Sequence, residues 1–205
     1  MRARRRGRRP LRLVLCVALG GAVLALQWLR VADHDVLGPI ASSGDRGSVV
    51  ATDEFTVEVT DVRVAGTVTD SSPLSPEPIE ANGVWVVVWV RVTATREPLT
   101  VTRAELEMAD RTTYAASLWF RDALSGGTEF PTAVPVRGAF VFEVPEDRVD
   151  RPSLVFTHTG GSGSRLAAQA SVDLGVDAAA VTGATVDVEL APPERGRGEA
   201  ADAPP

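Results

Sequence analysis

Few side chains in this chain could carry covalent or acid–base chemistry. It has two histidines, His34 and His158, one cysteine, Cys16, and no lysine, since all 21 basic residues are arginine. The missing lysines remove Schiff-base, P-loop and Ser–Lys chemistry together. One cysteine excludes an intramolecular disulfide and a cysteine-ligated metal. Asp33-His34-Asp35 has the residue types of a metal cluster but stands alone in a polar stretch, and it reads as solvated chain. His158 follows Leu154 and Phe156 in phase, at a strand end beside a glycine loop, where a capped, half-buried histidine is expected. Gly161-Ser162-Gly163-Ser164 lacks the strand-to-helix elbow of a serine nucleophile and reads as a flexible turn. Glu143, Glu146, Asp147 and Asp150 crowd one turn, but Arg148 and Arg151 are interleaved, so salt-bridged charges in solvent are expected rather than a calcium cage. These residues supply no catalytic group, metal ligand or cofactor site, and the expectation is a protein that is not an enzyme.

Charge is divided unevenly along the 205 residues. The first 30 hold eight arginines and no acid, which leaves 13 arginines against 27 acids in the remainder, a formal −14. A domain so acidic attracts neither nucleic acid nor anionic lipid head groups through its field.

The basic end has the form of a membrane address. Seven arginines precede residue 13, and the 17 residues between Arg12 and Arg30 carry no charge. As a helix they span about 26 Å, and snorkelling of the flanking arginines covers the shortfall against a core of roughly 30 Å. The positive-inside rule places residues 1–12 in the cytoplasm, a transmembrane signal-anchor over 13–30, and everything later outside the cell membrane. The alternative is secretion after cleavage at the weak small-residue site Val23-Leu24-Ala25. Gln27, Trp28 and Leu29 continue the apolar segment past it and favour retention.

Residues 31–49 are polar and Gly/Ser/Asp-rich and read as a stalk, and residues 191–205 as a disordered tail. Between them, residues 50–190 show period-two patterns and no long helical one. Strands are expected over 54–65, 84–95, 99–108, 136–144, 153–158 and 166–174, with weaker ones over 112–120 and 182–190. A phase shift at Thr60-Asp61 predicts a bulge in the first of these. Loops are expected over 66–83, 121–135 and 159–165. Such strand spacing predicts an all-β fold, a sandwich of seven to eight antiparallel strands.

The stretch GVWVVVWVRVTATREP, residues 83–98, is the most apolar of the domain. Its uncharged run of about seven residues is far short of the roughly 20 needed to span a membrane as a helix. By parity, Val84, Val86, Val88, Val90, Val92 and Ala94 make one aliphatic face, the core face of a central strand. The other face carries Trp85, Trp89 and Arg91. These three are the candidate interaction surface, unless the loops 66–83 or 121–135 shield the indoles and Arg91 lies over Trp89.

The feature order also resembles a known family. A Pro/Gly-rich loop leads into GVWVVVWVRVTATREPLTV; AELEMADRTTYAAS follows, then PVRGAFVFEVPEDRVDRPSLVF. This is similar to the telokin-like, Ig-like extracellular domains of actinobacterial envelope proteins, many of unknown function. The resemblance covers residues 52–175 and implies a lone β-sandwich behind a signal or anchor, with no catalytic residue to carry over. The chain departs from the pattern at Trp89, at Thr95-Arg96, and at Asp110-Arg111, where a glycine is expected. The functional expectation is a membrane-anchored, non-catalytic interaction module of the cell envelope that binds an envelope protein or polymer and no nucleic acid. A small-ligand or metal-ion carrier and an unrecognised hydrolase are the alternatives.

Overall fold

A computed structural model describes residues 40–71, 78–125, 127–159, 167–176 and 187–196, and before them only Leu19 and Gly21. The expected signal-anchor over 13–30 is otherwise outside the described residues, as are Asp33–Asp35, the Ser162 turn and residues 197–205. Among the described residues no helix is long and apolar enough to cross a membrane.

The architecture is all-β, in two sheets. The strands are β1 (Ile40–Asp45), β2 (Val49–Ala51), β3 (Phe55–Asp70), β4 (Ile79–Ala94), β5 (Thr102–Glu107), β6 (Thr113–Ala115), β7 (Val136–Val144), β8 (Ser153–His158), β9 (Ala168–Asp173), β10 (Asp187–Leu190) and β11 (Glu194–Arg195). One sheet has the order β1-β9-β8-β5-β6; the other has β10-β3-β4-β7-β11, with β2 also paired to β3. Alternation decides what each strand offers to the space between them. Val84, Val86, Val88, Val90, Val92 and Ala94 of β4 are all buried there. Phe55, Val57 and Val59 of β3 and Phe140, Phe142 and Val144 of β7 join them. The facing sheet contributes Leu106, Leu154, Phe156, Ala170 and Val172. Phe156 is the hub, with the Phe55 ring edge-on at 5.1 Å and the Phe130 ring at 5.8 Å.

The bulge expected at Thr60-Asp61 is present: the β3–β4 register slips between Val59 and Asp61. A larger slip follows. Ala65 faces Trp85 but Thr67 faces Glu80, so four residues of β4 oppose one of β3. Gly83 lies in that bulge against the end of β7, where a Cβ would collide with the Val144 carbonyl oxygen. Glu143 fastens the bulge by accepting both the backbone N–H of Asn82 (2.9 Å) and its side-chain amide (3.0 Å).

Several expectations need correction: the described residues form eleven strands rather than seven to eight, and the pairings β1–β9 and β10–β3 are parallel rather than antiparallel. The stalk is shorter than 31–49, because β1 and β2 belong to the sheets. The small residues of β1 made it look like linker; backbone pairing, not an apolar face, holds it. The loop over 66–83 is strand as far as Asp70 and again from Ile79. The strand over 112–120 shrinks to three residues. The tail begins with β11, paired to β7 through Glu194 and Arg137. At the acidic turn, Glu146–Arg148 form one turn of 3-10 helix. Arg148 reaches Asp110, outside the turn, at 3.6 Å and Arg151 reaches Asp150 at 3.5 Å, while Glu146 and Asp147 are exposed.

The β5–β6 turn shows what the missing glycine at Asp110-Arg111 does. Arg111 adopts φ = 68°, a left-handed conformation that penalises any side chain with a Cβ. Asp110 closes the turn by accepting the Thr112 N–H at 2.9 Å, and that bond holds its carboxyl below the ordinary 3.8.

Three substitutions test this account in urea unfolding. Val88→Ser, at a fully buried position, should cost about 3 kcal/mol through lost apolar burial and an unpaired hydroxyl. Gly83→Ala should cost roughly 2 kcal/mol or more, because backbone rather than a mobile side chain blocks the methyl. Arg111→Gly should instead stabilise by up to about 1 kcal/mol by relieving the left-handed residue.

Candidate functional site

The outward face of β4 carries all three predicted surface residues, and the structure separates them. Trp85 is 2% exposed. It packs with Ala65, Val68, Val87, Phe120, Ala139, Val141, Val188 and Leu190 in a second apolar cluster, on the side of the sheet away from the main core. Phe120 meets its ring edge-on at 5.1 Å, and its Nε1–H donates to the Ile79 carbonyl at 2.9 Å. Trp85 therefore belongs to the interior, which corrects its assignment to an interaction surface.

The cover over Trp85 comes from two places. The large bulge brings the far half of the β3–β4 hairpin, with Val68 and Ile79, into the cluster. The segment after β6 supplies Phe120 and Ala123. This segment runs along the edge of β7 beyond β11: Ser117 N–H donates to the Val141 carbonyl and Leu124 N–H to the Ala139 carbonyl, both at 2.7 Å. Asp70, itself buried, clasps it to the hairpin by accepting the N–H groups of Arg121 (3.1 Å) and Asp122 (3.3 Å). Ser71 returns a hydroxyl bond to the Asp122 carboxylate at 3.0 Å. Each buried carboxylate is thus matched by donors, as burial of a charge demands.

Trp89 is half-buried. The cation above it is Arg63, whose guanidinium lies 5.1 Å from the ring centroid, and not Arg91. Asp61 orients Arg63 at 3.0 Å and also accepts from Arg46 at 2.8 Å. Arg91 turns to its cross-strand neighbour Glu58, at 3.1 Å, while its Nε is buried without a partner. Arg91 also stands directly opposite Arg137, which stands opposite Glu194. Two like charges in the middle of one row are flanked by acids, which offsets their repulsion.

Two features escaped the sequence reading. Leu118 and Trp119 are 76% and 73% exposed, the most exposed large apolar residues of the described domain. Trp119 is exposed and its neighbour Phe120 is buried, but nothing in their spacing says which of the two is outward. The second is the environment of His158, which is buried rather than half-buried. Its Nδ1 lies 2.7 Å from Glu54 Oε2, tying the end of β8 to the turn before β3. Beside Glu54 a cleft of about 340 Å³ is lined by Ile40, Ser42, Ala51, Thr52, Asp53, Glu54 and Ala168. Among the described residues no group of three His, Cys, Asp or Glu side chains is placed to hold a metal ion.

The two tryptophans should separate on substitution. Trp85→Ala should cost about 3–5 kcal/mol, and Trp89→Ser less than about 1.5 kcal/mol, in equilibrium unfolding. Asp70→Ala should leave the N–H groups of exposed Arg121 and buried Asp122 without their acceptor and cost about 1–3 kcal/mol, with faster hydrogen exchange at both residues.

No family model matches the chain, and no curated protein does. Among solved structures, an uncharacterised β-sandwich protein from Clostridium difficile 630 aligns at 11% identity and a TM-score of 0.43, covering 66% of this chain and 95% of that one. The secreted protein MPT63 from Mycobacterium tuberculosis aligns at 21% identity and a TM-score of 0.42, covering 64% of this chain and 97% of that one.

Proposed function

We propose that the chain is a non-catalytic interaction module of the cell envelope: an Ig-like, telokin-like β-sandwich held outside the membrane by its N-terminal segment. The observation that carries this reading is how the polar groups are used. Asp70 holds a loop, Glu143 holds a bulge, Asp61 holds two arginines and Glu54 holds His158. These contacts are structural, while Leu118, Trp119, Val101 and Ile40 present apolar surface to solvent. Exposed apolar groups on a well-fastened frame suit a binding surface better than a reaction centre. The anchor rests on the arginine-rich start and the 17 uncharged residues that follow it. Partners of this reading are an envelope protein or polymer. The carrier alternative rests on the cleft beside Asp53 and Glu54.

The readings part in three measurements on the full chain. Fractionation of expressing cells should leave the protein in the membrane pellet, with the β domain open to protease added outside. Release into the medium would support cleavage and secretion instead. Calorimetry with calcium and with zinc should give no saturable heat; stoichiometric binding would favour the carrier. Screens against ester, peptide and glycan substrates should be flat, and turnover in any of them would overturn the non-catalytic reading.

A further inference from the structure

The sheets have edges, and an edge strand offers unpaired backbone groups to any other extended chain. Most edges here are short or charged. β6 has three residues, β11 is Glu194-Arg195, and β10 carries Asp187 and Glu189 on its four residues. β1 differs: six residues, IASSGD, with no charge before Asp45.

The β1 ladder shows which of its groups are free. β1 pairs in parallel with β9, Ile40 opposite Ala168 through Asp45 opposite Asp173. Ile40 N–H donates to the Ala167 carbonyl and Arg46 N–H to the Asp173 carbonyl. In a parallel ladder alternate residues bond to the same neighbour, so positions 40, 42, 44 and 46 face β9. The N–H and C=O of Ala41 and Ser43 therefore point to the open edge, and both residues are exposed. Asp45 ends the run, because its carbonyl accepts Ser48 N–H at 3.0 Å. On the face of β1 that carries Ile40 and Ser42 lies the cleft of about 340 Å³, with Ile40, Ala51 and Ala168 as apolar wall and Asp53 and Glu54 as acidic rim.

We infer that the β1 edge is a strand-addition site, taking an extended segment of a partner protein. The backbone of that segment pairs with Ala41 and Ser43, and its inward side chains, apolar with one basic residue, enter the cleft. Only an extended chain repeats donor and acceptor at the two-residue spacing of Ala41 and Ser43. The basic residue follows from Asp53 and Glu54, within a segment of formal charge −14 over residues 31–205. This deepens the interaction-module reading and rests on it.

The probe is the peptide acetyl-Thr-Val-Thr-Arg-Thr-Val-amide, titrated into the full chain, with amide hydrogen exchange read at residues 40–45. Saturable binding with protection at Ala41 and Ser43 is expected. Ala41→Pro should weaken it about tenfold or more while the melting temperature holds, because that N–H takes no part in the β9 ladder. A peptide N-methylated at alternate residues tests the same point without altering the protein. The version N-methylated along the pairing edge should not bind, and the version methylated along the opposite edge should. Glutamate in place of the peptide's arginine should weaken binding. No saturable binding, equal binding by both methylated peptides, or protection elsewhere would overturn the site. So would a dimer of the free protein that Ala41→Pro dissolves in sedimentation, since the edge would then belong to a second copy. None of these outcomes touches the calorimetric and turnover tests, so the two readings fail separately.

Discussion

The structure turns on the need to cover β4 on both faces. β4 is hydrogen-bonded on both edges, to β3 and to β7, and is wholly aliphatic toward the facing sheet. Its other face still carries Trp85 and Val87. An indole buries about 200 Å², on the order of 5 kcal/mol at 25 cal/mol per Å². That is comparable to the whole margin by which a domain of this size is stable. Leaving Trp85 in water is therefore not open to this sequence. The facing sheet covers one side, and something else must cover the other.

What covers it explains the irregular parts of the molecule. The slip of four residues against one gives the β3–β4 hairpin the freedom to bring Val68 and Ile79 over the outer face. Gly83 allows β4 to pass the end of β7, and Glu143 satisfies the amides that the bulge releases. The segment after β6 then does two jobs. Its backbone caps the edge of β7 that β11 leaves open, and Phe120 closes over Trp85. Asp70 joins hairpin and segment, and the two N–H groups it accepts offset its burial. Exposure of Leu118 and Trp119 follows from the same arrangement: both ends of the segment are fixed, so the residues between them have nowhere to fold inward.

This division separates what was legible in the sequence from what was not. Period two identifies a strand and its core face wherever one face is buried and the other polar. That is why β4, β7, β8 and β9 fall where alternation puts them, and why the phase shift at Thr60-Asp61 marks a real slip in register. Trp85 and Trp89 share parity, so alternation cannot distinguish them. Their fates differ because Phe120, 31 residues beyond Trp89 in the sequence, lies over one and Arg63 over the other. Arg63 reaches Trp89 diagonally, through a cross-strand register that the bulge sets. The His158–Glu54 contact spans 104 residues and has no local signature. The charged row Glu58, Arg91, Arg137, Glu194 is likewise drawn from four separate strands.

The strand that alternation missed altogether is instructive for a different reason. Sequence patterns detect strands through the side chains they bury, and β1 buries almost none. Ile40 is 66% exposed, and Ala41, Ser42, Ser43 and Gly44 bring little apolar area. The strand is held by its ladder to β9 and by the close seat of Gly44 against Val50, where a Cβ would stand 2.7 Å from a Val50 methyl. Ladder bonds contribute about 1 kcal/mol each after exchange with water, and beyond them and the Gly44 seat β1 has little to hold it. Long side chains along it would give a firmer hold and would also shield its outer edge. Their absence leaves a strand that resembles linker in composition, pairs on one side, and keeps the other side open.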